Sequence, residues 1–131
     1  MYYIFPVLFK VNPNGGYIVT VPDVPGCVTG GNTLQESLFM VKDALSACIC
    51  SIEDHKDAIP VASSLRDVEV SEPESFSTLI EIDTVRYRAE TDNRSVRKNV
   101  SLPAWLNAKA DQAHINCSQV LQEALRERLN L

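Results

Sequence analysis

The stretch GGYIVTVPDVPGCVTGGNTLQESL, residues 15–38, contains the change from strand to helix that decides the fold. Tyr17, Ile18, Val19, Thr20 and Val21 form an aromatic and β-branched run suited to a pleated strand. The two glycines ahead of it close NPNGG, residues 12–16, whose Asn and Gly residues supply the positive φ values of a tight hairpin turn. Residues 2–11, YYIFPVLFKV, form a second β-rich run before that turn, so a hairpin is expected. After it, Pro22, Pro25 and Gly26 interrupt regular pairing and leave a short third strand near residues 27–29. TLQE is a capping box, Thr33 with Glu36. Leu34, Leu38, Val41, Leu45, Cys48/Ile49 and Ile52 follow at helical spacing, which predicts a helix with one face buried on the sheet.

Further along, EDHKDAIPVASS loosens the chain, FSTLIEID (residues 76–83) reads as another strand, and TVRYRAE as a short helix. Residues 1–90 are therefore an α+β body in the order βββαβα. TDNR, residues 91–94, is polar and without apolar periodicity, which marks a linker. A second segment, residues 95–131, reads strand, helix, turn, helix. Ahead of Pro103, Val96, Lys98, Val100 and Leu102 fall on one strand face, and Arg97, Asn99 and Ser101 on the other. Pro103 suits a first helical turn, where its missing N–H costs nothing. Leu102, Trp105, Leu106, Ala110 and Ala113 then mark an apolar stripe, HIN breaks the helix, and Asn116 with Gln119 caps a second one carrying Val120, Leu121, Ala124, Leu125 and Leu129.

Charge divides the chain at the same place. Residues 1–93 carry six Lys and Arg against fourteen Asp and Glu, net −8; residues 94–131 carry six against three, net +3. An anionic partner for the tail and a cationic one for the body fit this asymmetry better than solubility alone. No apolar run approaches the roughly 20 residues of a membrane-spanning helix, and the N-terminal run lacks a basic start and is interrupted by Pro6, so a cytoplasmic protein without membrane contact is expected. Cys27, Cys48, Cys50 and Cys117 match no metal spacing; Cys48 and Cys50 would point about 200° apart on a helix. They read as reduced thiols, the buried ones acting as small hydrophobes. His55 and His114 have no companions in sequence, and no metal or cofactor is assigned.

The tail has 38 residues, below the roughly 40 at which a domain usually needs metal, disulfide or oligomerisation. With the first two absent from the pattern, its strand is expected to pair with the same strand of a second chain about a two-fold axis. Such a ribbon over four helices would present Arg97, Asn99 and Ser101 twice over, in a form that fits the major groove of DNA.

VRKNVSLPAWLNAKADQAHINCSQVLQEALRERL, residues 96–129, resembles the ribbon-helix-helix DNA-binding fold, and the opening stretch resembles the antitoxin family HicB. The resemblance implies a degraded ribonuclease H-like body that blocks a HicA-like toxin, an mRNA-cleaving protein, and a tail that represses the operon at its operator. By resemblance, Arg97, Asn99 and Ser101 are the base readers, and Asn116, Cys117 and Ser118 form the helix start whose amides hold phosphate. Arg suits guanine O6/N7, Asn suits adenine N6/N7, and a helix N-terminus attracts phosphate. Two residues depart from the pattern: His114 stands where the family commonly has Gly, and Lys98 lies on the inward face, from which it can snorkel to phosphate.

Two other functions are weighed against this. A residual ribonuclease needs several carboxylates converging on divalent ions, whereas Asp23 stands alone in its turn and Glu36 and Asp43 lie seven apart on one helix. A regulator with a small-molecule-sensing body lacks a ligand-like His/Cys cluster. No catalytic residue is assigned, and an antitoxin acting as a dimer or higher oligomer is the expected function.

Overall fold

The computed structural model of the chain describes residues 1–68, 70 and 72–131. They divide into two compact units, Met1–Asn93 and Arg94–Leu131.

The first unit is built on β1 (Tyr2–Val11), β2 (Tyr17–Thr20), β3 (Val28–Gly31) and β4 (Phe76–Asp83), an antiparallel sheet in the order β3-β2-β1-β4. The β1–β2 hairpin closes through Asn12 N–H to the Gly16 carbonyl (3.0 Å) and Gly15 N–H to the Asn12 carbonyl (2.9 Å), with Gly15 and Gly16 at φ +99° and +78°. Pro6 lies beyond the end of the β2 ladder, where β1 pairs with β4 alone, so its missing N–H breaks no bond on the β2 side. The Pro22–Gly26 turn is closed by Val21 N–H to the Cys27 carbonyl (3.1 Å), which moves the third strand slightly downstream of its expected place, to Val28.

A single long helix, α1 (Leu34–Asp54), lies on one sheet face. Thr33 caps it, its hydroxyl accepting the Glu36 N–H (3.1 Å), while the Glu36 carboxylate accepts the Asn32 N–H (3.3 Å). Phe5, Val7, Phe9, Val19, Ile80 and Ile82 from the sheet meet Val41, Leu45 and Ile49 in the core. Leu34, expected on the buried stripe, is exposed, and Ser37 and Ser46 are buried in the same helix. Their hydroxyls donate to the carbonyls one turn back, Thr33 and Lys42, both at 2.7 Å, so each polar group is satisfied without reaching beyond the helix.

One turn of 3₁₀ helix, Leu65–Asp67, precedes β4, and α2 (Thr84–Thr91) follows it, capped by Asp83. The body thus has the expected βββαβα order plus that 3₁₀ turn, which the sequence reading did not include. Arg88 fastens α2 to the end of α1, donating to the Cys50 carbonyl (3.1 Å) and pairing with Asp54 (2.9 Å). The last turn of α1 has no basic residue of its own, so Arg88 supplies the cation that a helix C-terminus favours.

The second unit consists of α3 (Ala104–Gln112) and α4 (Cys117–Arg128). Residues 95–103, where a strand is expected, have no strand assignment in the single chain. A strand exists through its ladder, and the rest of this unit is helical. None of residues 94–131 is buried, and all but Ala110, which is half-buried, are exposed.

Candidate functional site

Arg97, Lys98, Asn99 and Ser101 all lie exposed in the segment before α3. The alternate residues Val96, Val100 and Leu102 are exposed as well, so in one chain the greasy row and the polar row both face solvent. Asn116 caps α4, its side-chain oxygen accepting the Gln119 N–H at 3.2 Å. The amides of Cys117 and Ser118 are in the first turn, where helix geometry provides no acceptor and the dipole favours an anion. Among the described residues no hydrogen bond or ion pair joins this helix start to the Arg97–Ser101 row.

The turn between the helices is a Schellman motif: Ile115 N–H donates to the Ala110 carbonyl and His114 N–H to that of Asp111, both at 3.1 Å. His114 takes φ +54°, the left-handed conformation that favours glycine.

In the first unit a cleft of about 440 Å³ opens at the free edge of β4, between α1 and α2. Helix α1 contributes Phe39, Lys42, Asp43 and Ser46, which helical spacing places on one side. Glu81 and Asp83 come from β4, Arg86, Tyr87 and Glu90 from α2, and Tyr2 from the start of β1, opposite Asp83 in the register. Phe39 is 71 % exposed and Tyr2 68 %. Arg86 is bound to Glu90 at 2.7 Å, and Asp83 receives the Val85 N–H at 3.1 Å and the terminal ammonium at 3.4 Å. Asp43 and Glu81 have no ion pair among the described residues. Partial burial, then the Asp43 charge, raises the Tyr87 hydroxyl above the usual phenol range.

By sequence Asp43 is only a helix carboxylate seven residues from Glu36, and Phe39, Tyr2 and Glu81 are not among the residues singled out. Phe39 carried a signal, because it is a large aromatic falling off the buried stripe of α1. Glu81 had none, since its neighbours in the cleft come from three other elements.

Among the described residues no three of His, Cys, Asp and Glu gather as a metal site, and no helix is long and apolar enough to cross a membrane. Asp23 is held by Ser63, accepting its N–H (2.8 Å) and its hydroxyl (2.6 Å). Burial, and then the nearby Cys48 thiol, pushes the Cys27 thiol up to about 12. Cys27 is thus a core residue with a poorly nucleophilic sulfur.

Similarity to known proteins bears on both units. Escherichia coli K12 antitoxin HicB is 25 % identical across 97 % of this chain and 96 % of that protein. A 14.9 kDa protein from the rep-hol intergenic region of Haemophilus phage HP1 is 28 % identical across 83 % of this chain and 80 % of its own length. A solved toxin-antitoxin complex from Streptococcus pneumoniae contains a chain of the same fold, with TM-score 0.63 and 20 % identity over 98 % of this chain and 99 % of that one. The family model described as HicB_like antitoxin of bacterial toxin-antitoxin system matches residues 5–124, from the first core strand into α4. This chain therefore belongs to the family of HicB-like antitoxins of bacterial toxin-antitoxin systems.

Proposed function

We propose that this antitoxin neutralises a HicA-like, mRNA-cleaving toxin through its body and represses its own operon through its tail. The tail pairs with that of a second copy as a ribbon-helix-helix (βαα) reader of operator DNA. The observation that carries this reading is the exposure of the whole second unit: Trp105, Leu106, Val120, Leu121 and Leu125 lie on two helices with nothing buried between them. A 38-residue unit in that condition is incomplete, and pairing residues 95–102 with their copy supplies both the missing strand ladder and a shared core.

In the paired form Arg97, Asn99 and Ser101 face outward on a two-stranded ribbon and read base edges. Lys98 and the amides of Cys117 and Ser118, set by the Asn116 cap, hold phosphates. Residues 91–94 act as the joint between a degraded ribonuclease H-like body, residues 1–90, and the reader, residues 95–131. The body works by occupying the toxin's cationic surface and not by catalysis, in the cytoplasm, where both mRNA and operator are found.

Arg97→Ala tests the division of labour. Operator binding in gel shifts weakens by about 1–3 kcal/mol per subunit, with relaxed preference at one base pair, while growth rescue against the toxin is unchanged. A folded Arg97→Ala protein that loses both activities, or neither, overturns this assignment.

A further inference from the structure

We propose that the cleft at the free edge of β4 is the toxin-docking surface of the body and that it receives a basic side chain, an arginine above all, from the toxin's RNA-binding surface. This rests on the neutralisation reading above and specifies where it acts. Four carboxylates line the cleft against Lys42 and Arg86. Arg86 is already bound to Glu90, and Asp83 to its own helix start and the terminal ammonium. That leaves Asp43 on α1 and Glu81 on β4 as acceptors in one cleft, without an ion pair among the described residues.

The rest of the surface suits a guanidinium. Phe39 and Tyr2 are large rings held in solvent, where they offer faces for cation–π stacking while the carboxylates provide bidentate acceptors. The surface continues along the outer sheet face, where Ile4 stands opposite Glu81 in the register and Leu79 lies two residues further along β4; both side chains are about half exposed. Exposed apolar side chains beside a charged cleft suit a protein interface. A surface built to grip the RNA phosphate backbone is cationic, and therefore complementary to this one. Filling the cleft with one of that surface's own basic residues excludes RNA by charge and by volume.

The full-length chain and the toxin from the adjacent reading frame provide the test. Asp43→Lys and Glu81→Lys are each expected to weaken toxin binding about tenfold or more, and Phe39→Ala to weaken it as well. Asp57→Lys, at an exposed position outside the cleft, makes the same change in net charge and is expected to stay within about twofold of wild type. Oxidative footprinting of the wild-type complex reads the same surface without a substitution: Tyr2 and Phe39 become protected by toxin. If wild type binds toxin while both reversals bind equally well, or Tyr2 and Phe39 stay reactive in the complex, the cleft assignment fails and neutralisation stands. If wild type binds no toxin, the neutralisation reading fails and takes this proposal with it. Protection of the two rings without toxin, rising with protein concentration, makes the cleft a self-interface and also overturns the proposal.

Discussion

Gly31 shows how tightly one residue can be constrained. A Cβ there would lie 2.8 Å from both the N and the Oγ of Ser37, because β3 passes directly under the first turn of α1. Gly31→Ala is expected to destabilise the body by about 1–3 kcal/mol through this overpacking, read as a lower urea midpoint with unchanged slope. Gly16 is constrained twice, by its positive φ and by the Gly31 carbonyl. Its turn role was legible in NPNGG, whereas the contact between two glycines fifteen positions apart was not. Cys27 sets a pH dependence. Below pH 9 its thiol is protonated in both folded and unfolded chains, and its contribution to stability is fully present. Between pH 9 and about 12 the unfolded chain releases a proton that the folded chain keeps, so stability is lost across that window. Denaturant midpoints should fall above pH 9, and less steeply in Cys27→Ala. Raised values for Cys50, Tyr3 and Tyr87, each led by burial, act in the same direction and account for the slope that remains.

At the scale of the element, signals that act within a few residues of themselves were readable. The Thr33–Glu36 capping box, the Asn116 cap and the break at His114 all occur where the sequence indicates, since each is a local competition for backbone N–H and carbonyl groups. The His114 break has an energetic consequence: a side chain at φ +54° occupies a conformation that glycine adopts with less strain. His114→Gly is expected to stabilise the tail by about 0.5–1 kcal/mol, the relief of strain outweighing the added freedom of the unfolded chain. Thermal melts at one fixed chain concentration check it; an unchanged or lower midpoint would show that the imidazole makes a compensating contact in the assembled protein. The α1 stripe was less readable at its edges. Leu34 is exposed and Ser37 and Ser46 are buried; at Ser37 the close approach of β3 leaves room for a small side chain only, whereas Ser46 lies on the cleft side of the helix, toward β4 and α2.

For the whole molecule, the two units place opposite demands on assembly. Met1–Asn93 has its own core and Arg94–Leu131 has none. Deleting residues 94–131 is therefore expected to abolish operator binding and lower the oligomeric state by light scattering, while circular dichroism shows a folded body. An unaltered oligomer after this deletion would place self-association in the body. The net charge of −8 over residues 1–93 accelerates the approach of a cationic partner from any direction, whereas the cleft selects where it docks. Salt separates these contributions: association slows markedly between low and physiological salt through the first, while dissociation, governed by the second, changes less.

From residues alone came the α+β class, the order of the body's elements, both helix caps of the long and the last helices, and the change of charge sign near residue 94. All but the charge count depend on periodicity, capping and turn chemistry within about one helical turn or one hairpin. Tertiary structure alone decided that β4 is a free edge, that Glu81 and Asp43 share a cleft with Phe39 and Tyr2, that Arg88 closes the end of α1, and that Ser37 occupies the helix position beneath β3. The register between β1 and β4 joins residues 67 to 81 positions apart, and no local pattern encodes which side chains that register brings together.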